Sequence, residues 1–249
     1  MHRSSLVRLG FTILLATMVL VGTNGAWRAQ ADVVARADCD RTYWPMGRLT
    51  LGAGVGASRP DVLVIAPHGT FDSNTKELAT AVAAQVGSSV VWATDTRPSL
   101  VRRINVNRPT ELRWGVEVGT LTALHAFQAF SDCIDLFPHR LSLELHGDRR
   151  DGDPEMATVG LSRVQADEVK LAWARHFDQP LIIDAAGDDL VMSAGANKRT
   201  GLLSRCAAVC LHLELPADQR ADDRLADVTA RLSAFLDEIS LLDLGIASD

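Results

Sequence analysis

The chain has 249 residues, a formal net charge of −6 at pH 7 and 47% hydrophobic residues. This length supports one sizeable hydrophobic core, so we predict a single domain after the N-terminal region. An acidic chain without a cluster of basic residues argues against nucleic acid as a partner.

The first 31 residues have the pattern of an export signal. Arg3 and Arg8 give a basic start, residues 9–22 are apolar and uncharged, and residues 29–31 end in a small-x-small motif. The apolar stretch is shorter than the roughly 20 residues of a membrane span. We therefore predict a signal peptide over residues 1–31, cleaved after Ala31, and a secreted, periplasmic or cell-envelope protein without stable membrane insertion. An uncleaved N-terminal anchor stays open.

Four cysteines occur, at positions 39, 133, 206 and 210. In an exported protein they predict up to two disulfides, and three pairings are possible. Cys206 and Cys210 can pair with each other only if the segment between them turns, since an extended strand separates them by roughly 13 Å. A zinc site formed by all four fits less well, because the spacings do not form two C-x-x-C pairs.

After an irregular segment over residues 32–60, which could wrap the core or add an edge strand, apolar strands alternate with helical patterns. Strands are expected at 61–67, 88–94, 102–107, 141–147, 180–185 and 208–216. Helical spacing covers 74–87, 110–133, 161–177 and 218–242, with Gly87 as a stop and Ser162 as a cap. Residues 148–160 and 187–201 read as surface loops. This order predicts an α/β fold with a mixed, mostly parallel sheet flanked by helices on both faces.

Polar side chains stand at the ends of three of these strands. His68 follows the first, with Asp72 four residues later; His146 ends "LSLELHG"; and Glu214 lies near the end of "CLHLELP". In such sheets ligands bind beyond the carboxyl ends of the strands. Two imidazoles and a carboxylate are suitable ligands for a catalytic Zn²⁺, and Glu214 could take a proton from a zinc-bound water.

The segment "RRINVNRPTE" supplies groups that could hold a substrate. Asn107 and Arg108 come at the end of a short strand, and an arginine can grip a carboxylate with two parallel hydrogen bonds. Arg102 or Arg103 could stabilise the oxyanion formed during attack on an amide. We favour Arg102, because it shares strand parity with Arg108.

In chain order, "PHGTFD", "RRINVNRP", "ELHGD" and "LHLELP" resemble the N-formylglutamate amidohydrolase family, within the wider group of zinc carboxypeptidase-like amidohydrolases. "APHGTFDSNTKELA" is also similar to the phage-type poly-γ-glutamate hydrolases. The resemblance covers about residues 61–220. It implies a zinc carboxypeptidase/aminoacylase-like fold, zinc on His68, Asp72 and His146, carboxylate binding by Asn107 and Arg108, and Glu214 as general base.

These residues predict an exported zinc amidohydrolase that cleaves an amide near a free carboxylate, in an N-acyl amino acid or a γ-glutamyl peptide. The partner is then a small acidic or peptide-like substrate. The oligomeric state is left open. An alternative is a catalytically inactive binding protein that retains the hydrolase fold. A serine hydrolase is a third reading, but no G-x-S-x-G elbow appears in the sequence.

Overall fold

The structure is a computed structural model that describes residues 34–35, 39, 41–43, 49–56, 58–97, 99–191, 198–206, 208–242 and 244. The predicted signal peptide lies outside these residues. The strands are β1 (Val34–Ala35), β2 (Arg41–Tyr43), β3 (Leu49–Val55), β4 (Arg59–Ala66), β5 (Ser88–Thr94), β6 (Arg102–Ile104), β7 (Thr110–Arg113), β8 (Val116–Gly119), β9 (Leu141–Gly147), β10 (Glu155–Val159), β11 (Ile182–Ile183) and β12 (Val209–Leu215). The α-helices are α1 (Thr75–Val86), α2 (Leu121–Asp135), α3 (Arg163–His176) and α4 (Leu225–Ile239).

The main sheet has the strand order β1-β3-β5-β4-β9-β12-β10-β11, with β2 also paired to β3. Its centre, β5-β4-β9-β12, is parallel, and antiparallel pairings join β3 to β5 and β10 to β12. Because parallel strands run the same way, the carboxyl ends of β4, β9 and β12 lie at one edge. Strands β6, β7 and β8 form a separate three-stranded antiparallel sheet.

Helices cover both faces of the main sheet. On one face, α1, α3 and α4 pack against residues such as Val64, Leu143 and Leu213. On the other face, α2 packs through Phe130 against Ile65 and its neighbours. Strands β9 and β12 alternate, with leucines toward the first face and polar residues toward the second, as the two-residue period of a strand requires. The predicted fold class is confirmed.

Local sequence signals explain several helix ends. Ser162 caps α3, since its side chain accepts the Gln165 amide and Gln165 reaches back to the Ser162 amide, which forms a capping box. Gly87 ends α1 in the left-handed conformation that glycine adopts without strain. Asn74 precedes α1 but makes no side-chain cap hydrogen bond. The amphipathic C-terminal pattern forms α4, which is shorter than the predicted 218–242.

Three sequence expectations need correction or completion. The helical pattern over 110–133 is a helix only from Leu121; before it, β7 and β8 form a hairpin that turns at Trp114 and Gly115, both with positive φ. The predicted loop at 148–160 contains β10, which is mostly buried. The segment 32–60 contributes β1, β2 and β3, which extend the main sheet beyond β5 with β1 at its edge, so the edge-strand alternative is the one observed.

Two disulfides join the four cysteines, Cys39 to Cys133 and Cys206 to Cys210. The Cα atoms of Cys206 and Cys210 are 6.1 Å apart, so the chain turns between them as their pairing requires. The first disulfide ties the segment before β3 to α2. Within the described part of the chain, none of the helices is long and apolar enough to cross a membrane.

Candidate metal centre

The loop after β4 brings His68 and Asp72 together. The amides of Phe71 and Asp72 both donate to the carbonyl of His68, and Thr75 donates to the carbonyl of Asp72 at the start of α1. In this tight turn Nδ1 of His68 lies 3.3 Å from Oδ2 of Asp72. Gly69 is required by close packing, because a Cβ there would lie 2.6 Å from the Cβ of Lys76.

His146 reaches the same point from the end of β9. Its Nδ1 lies 3.4 Å from Oδ2 of Asp72, and its ring centre is 4.9 Å from that of His68. The amide of Gly147 also donates to Oδ2 of Asp72, at 3.2 Å. Residues that are far apart in the sequence, in the loop after β4 and at the end of β9, thus surround one small volume.

A buried arginine ties together the loops that carry these groups. Arg220 donates to three backbone carbonyls. They belong to Ser73 in the loop after β4, Asp148 directly after β9, and Leu215, the last residue of β12. A Cβ on Gly147 would lie 2.4 Å from its guanidinium carbon, so glycine is needed there. Nothing in the local sequence around Arg220 pointed to this role.

The geometry of His68, Asp72 and His146 fits a metal ion. Their donor atoms lie within 4.8 Å of one another, and all three residues are buried. Tetrahedral ligands at about 2.0–2.1 Å from a cation are about 3.3 Å apart. The two Nδ1–Oδ2 distances match that spacing and exceed the roughly 2.7–2.9 Å of a strong charged hydrogen bond. The three predicted ligands therefore converge, and they could hold a divalent cation.

A second group, Glu144, His146 and His212, is also close enough to hold a metal. Here the distance between Nε2 of His146 and Oε1 of Glu144 is 2.7 Å, which is a hydrogen-bond distance rather than a ligand–ligand spacing. Asn107 Nδ2 also donates to this oxygen, at 3.1 Å. Glu144 therefore orients His146 from behind, as carboxylates commonly do for metal-binding histidines.

The pKa shifts follow from burial and from these contacts. Burial lowers the pKa of His68. Burial alone would raise the pKa of Asp72, but hydrogen bonds to His146 and His68 lower it far below its usual value. For His146, desolvation is outweighed by Asp72, Glu144 and Glu214, which raise its pKa to about 10. These contacts therefore favour the protonated form of His146.

Glu214 lies beside this centre, since β12 pairs in register with β9 and places Glu214 opposite His146. His212 donates from Nε2 to Oε1 of Glu214, at 3.2 Å. Burial favours a higher pKa for Glu214, but the hydrogen bond with His212 and the charge on His146 lower it. The carboxylate is therefore ionised at neutral pH. His68, Asp72, His146, Glu214, Asn107 and Arg108 all line one cavity of about 120 Å³.

The structure does not bring Arg102 to this cavity. Its Nε donates to buried Glu111, at 2.7 Å. Arg103 lines the cavity instead, with its guanidinium carbon 4.1 Å from the ring centre of Phe71. The parity argument for Arg102 is wrong because β6 ends at Ile104 and the chain turns before Arg108. The Nε of Arg103 is buried and has no hydrogen-bond partner among the described residues.

Asn107 and Arg108, the two residues predicted to bind substrate, line the cavity but already form hydrogen bonds with other side chains. Asn107 is fully buried and uses Nδ2 on Glu144. Arg108 forms a two-pronged pair with Glu117 of β8, with Nε–Oε1 and Nη2–Oε2 distances of 2.5 and 3.2 Å. Sequence reasoning missed Glu117, since it lies in a segment interpreted as helical.

Solved structures with a similar fold include bacteriophage poly-gamma-glutamate hydrolase, which is 14% identical over 77% of this chain and 89% of its own, with a TM-score of 0.50. YNDL in its zinc-free form is 15% identical over 77% and 91%, with the same TM-score. The gene product Atu2144 from Agrobacterium tumefaciens is 14% identical over 76% and 94%, with a TM-score of 0.56. No family model and no curated protein matches the sequence.

At these identities the similarity establishes the fold. The resemblance inferred from the sequence motifs is thereby confirmed at the level of the fold, which is that of a group of proteins containing hydrolases.

Proposed function

We propose that this protein is an exported, zinc-dependent amidohydrolase that cleaves an amide bond near a free carboxylate. The observation that carries the proposal is the convergence of His68, Asp72 and His146 on one point, with Glu214 in the same cavity. A buried cluster of two imidazoles and one carboxylate supplies three ligands, and three ligands are the usual number in a catalytic zinc site with an open position.

Zinc is the proposed cofactor because nitrogen and oxygen donors at these distances suit it. When bound, it would acidify a water molecule and polarise the carbonyl of the substrate. His68, Asp72 and His146 would hold it, and Glu144 would keep the His146 ring in orientation through the 2.7 Å contact.

Glu214 is the proposed general base. Its lowered pKa keeps it ionised at neutral pH, so its carboxylate can accept a proton from the attacking water and pass it to the leaving amine. Arg103, rather than the favoured Arg102, is the proposed residue that stabilises the oxyanion. Its unpaired, buried Nε is available to donate to the oxyanion that develops on the amide oxygen.

A free carboxylate on the substrate is proposed because the site entrance is cationic. Arg97, Arg103 and Arg149 surround the ring of Phe71, with guanidinium carbons 6.0, 4.1 and 5.1 Å from its centre. Arg108 would bind the substrate carboxylate after exchanging its contact with Glu117. A cleft of about 550 Å³ adjoins the site through Phe71 and leaves room for a substrate longer than one residue.

Export remains a proposal based on the N-terminal pattern over residues 1–31, and the two disulfides are compatible with it. The proposed partner is a small acidic or peptide-like molecule, namely an N-acyl amino acid or a γ-glutamyl peptide. No nucleic acid is expected, because the chain is acidic overall.

The test uses purified full-length protein, its metal content, and hydrolysis of N-formyl-L-glutamate and a γ-glutamyl oligopeptide followed by release of new amine. We expect close to one zinc per chain and measurable turnover. Glu214→Gln should lower kcat by about 10²–10⁴-fold with zinc retained. Glu168→Gln, an exposed acid on α3, is the control and should behave as wild type. A chain that binds no zinc would overturn the proposal.

One contact favours the second candidate, a binding protein with the hydrolase fold. Glu117 already occupies the fork of Arg108, so a substrate carboxylate must compete with it. In that case Glu214→Gln would change neither zinc content nor any hydrolysis, and an N-acyl amino acid would bind without being cleaved.

A further inference from the structure

Two tripeptides with mirrored sequences lie side by side on adjacent central strands of the sheet. Strand β9 carries Glu144-Leu145-His146, and β12 carries His212-Leu213-Glu214. The strands are parallel and in register, with Glu144 opposite His212 and His146 opposite Glu214. Since alternate residues of a strand point to one face, the four polar side chains form a two-by-two array in which every neighbour is of the opposite kind.

The contacts within this array connect the metal ligand to the proposed base. His146 Nε2 lies 2.7 Å from Glu144 Oε1, and His212 Nδ1 lies 3.5 Å from the same oxygen. His212 Nε2 lies 3.2 Å from Glu214 Oε1. The rings of His146 and His212 stack with their centres 4.1 Å apart and their planes at 19°. Two contacts, one with Glu144 and one with the ring of His146, therefore hold the His212 ring that reaches Glu214.

The four ionisable side chains of the array are largely buried. The side chains of Glu144 and His212 are each 3% exposed, and that of Glu214 is 13% exposed. Burying ionisable groups is costly unless they are paired. The proposed reaction uses His146 as a metal ligand and Glu214 as the base, and Glu144 orients His146. It assigns no role to His212.

We propose that His212 is a positioning residue for Glu214. Its Nε2–H holds one carboxylate oxygen of Glu214, while the other is left to face the attacking water. Glu144 and the stacked ring of His146 hold His212 in place. This inference rests on the proposed function of Glu214 as general base. The array then has two separate roles. Glu144 orients the metal ligand His146 and affects metal affinity, whereas His212 orients the base Glu214 and affects turnover.

The test compares His212→Gln with His212→Asn. The amide nitrogen of glutamine can occupy the place of Nε2, whereas that of asparagine reaches only the place of Nδ1. We expect His212→Asn to lower kcat by about 10–100-fold with KM and zinc content unchanged. His212→Gln should stay within about threefold of wild type. His125→Asn, on the exposed face of α2, is the control and should have no effect.

A crystal structure of each variant gives a readout that does not depend on activity. Glu214 should turn away from its position in His212→Asn and keep it in His212→Gln. If both variants keep Glu214 in place, or if both are equally active, His212 does not position the base and the inference is overturned. Equal loss of zinc and activity in both variants would assign His212 to metal retention and overturn it as well.

The activity of Glu214→Gln tests the proposed function separately from this inference. If that variant is as active as wild type, Glu214 is not the base and the proposed function fails. If it is inactive while His212→Asn is fully active, only the present inference fails.

Discussion

Zinc binding by the metal-free protein should tighten about tenfold for each pH unit up to about pH 9. The reason is that His146 must give up its proton to offer Nδ1 to the metal, and its pKa in the metal-free protein is raised to about 10. His68, whose pKa is lowered by burial, is already neutral above pH 7 and adds no such dependence. An ordinary histidine, with a pKa of about 6.5, would give a dependence that ends near pH 7.

The size of the effect follows directly. Between pH 7 and pH 9 the affinity should rise about 100-fold, which corresponds to about 2.7 kcal/mol. The measurement is a competition between the metal-free protein and a zinc-chelating fluorescent indicator whose own affinity is known at pH 6, 7, 8 and 9. Glu144→Gln is the matched variant, because it removes one of the carboxylates that raise the pKa of His146. Its affinity should be weaker and should level off at lower pH.

A wild-type affinity that levels off between pH 7 and 7.5 would refute this reasoning. It would mean that His146 is neutral in the metal-free protein, so that its single N–H donates to either Asp72 or Glu144 but not to both. A metal affinity that depends on neither pH nor Glu144 would place the metal elsewhere.

Three further predictions concern the same site. The folded-state pKa of His146 lies above its unfolded value, so its contribution to the stability of the metal-free protein is complete below about pH 6.5 and is lost toward pH 10; calorimetry should show the unfolding midpoint falling over this range. Glu117→Gln should free Arg108 and lower KM several-fold for a substrate with a free carboxylate but not for its methyl ester; an unchanged KM for both would show that Glu117 does not compete. Arg103→Gln should lower kcat by about 100-fold, whereas Arg97→Gln, an exposed arginine near the same Phe ring, should leave it nearly unchanged.

The position of the candidate metal centre could be predicted from the sequence because it depends on few features of the tertiary structure. His68 and His146 each follow an apolar run that reads as a strand. In a parallel sheet the ends of such strands meet at one edge, whatever their exact order. Asp72 then follows His68 on a short loop, where a turn of four residues is enough to bring the two side chains together.

The arginines could not be assigned in the same way. Strand parity holds only while the strand continues, and β6 ends between the residues that were compared. The helix predicted over 110–133, which includes Glu117, is wrong in its first part for a related reason. Thr110–Arg113 and Val116–Gly119 are short strands joined at Trp114 and Gly115, and the positive φ of a tryptophan is not a signal that composition reveals.

The array of Glu144, His146, His212 and Glu214 lies furthest from what a single sequence can show, because it depends on the register of two strands separated by β10 and α3. The leucines between the polar residues explain part of that register. A slip of one residue would turn Leu145 or Leu213 from the core toward the site. A slip of two would keep the leucines buried but could set Glu144 opposite Glu214, which places two carboxylates together. The polar residues therefore select between registers that the leucines alone would allow, and the same four side chains that form the site help to specify the sheet that holds them.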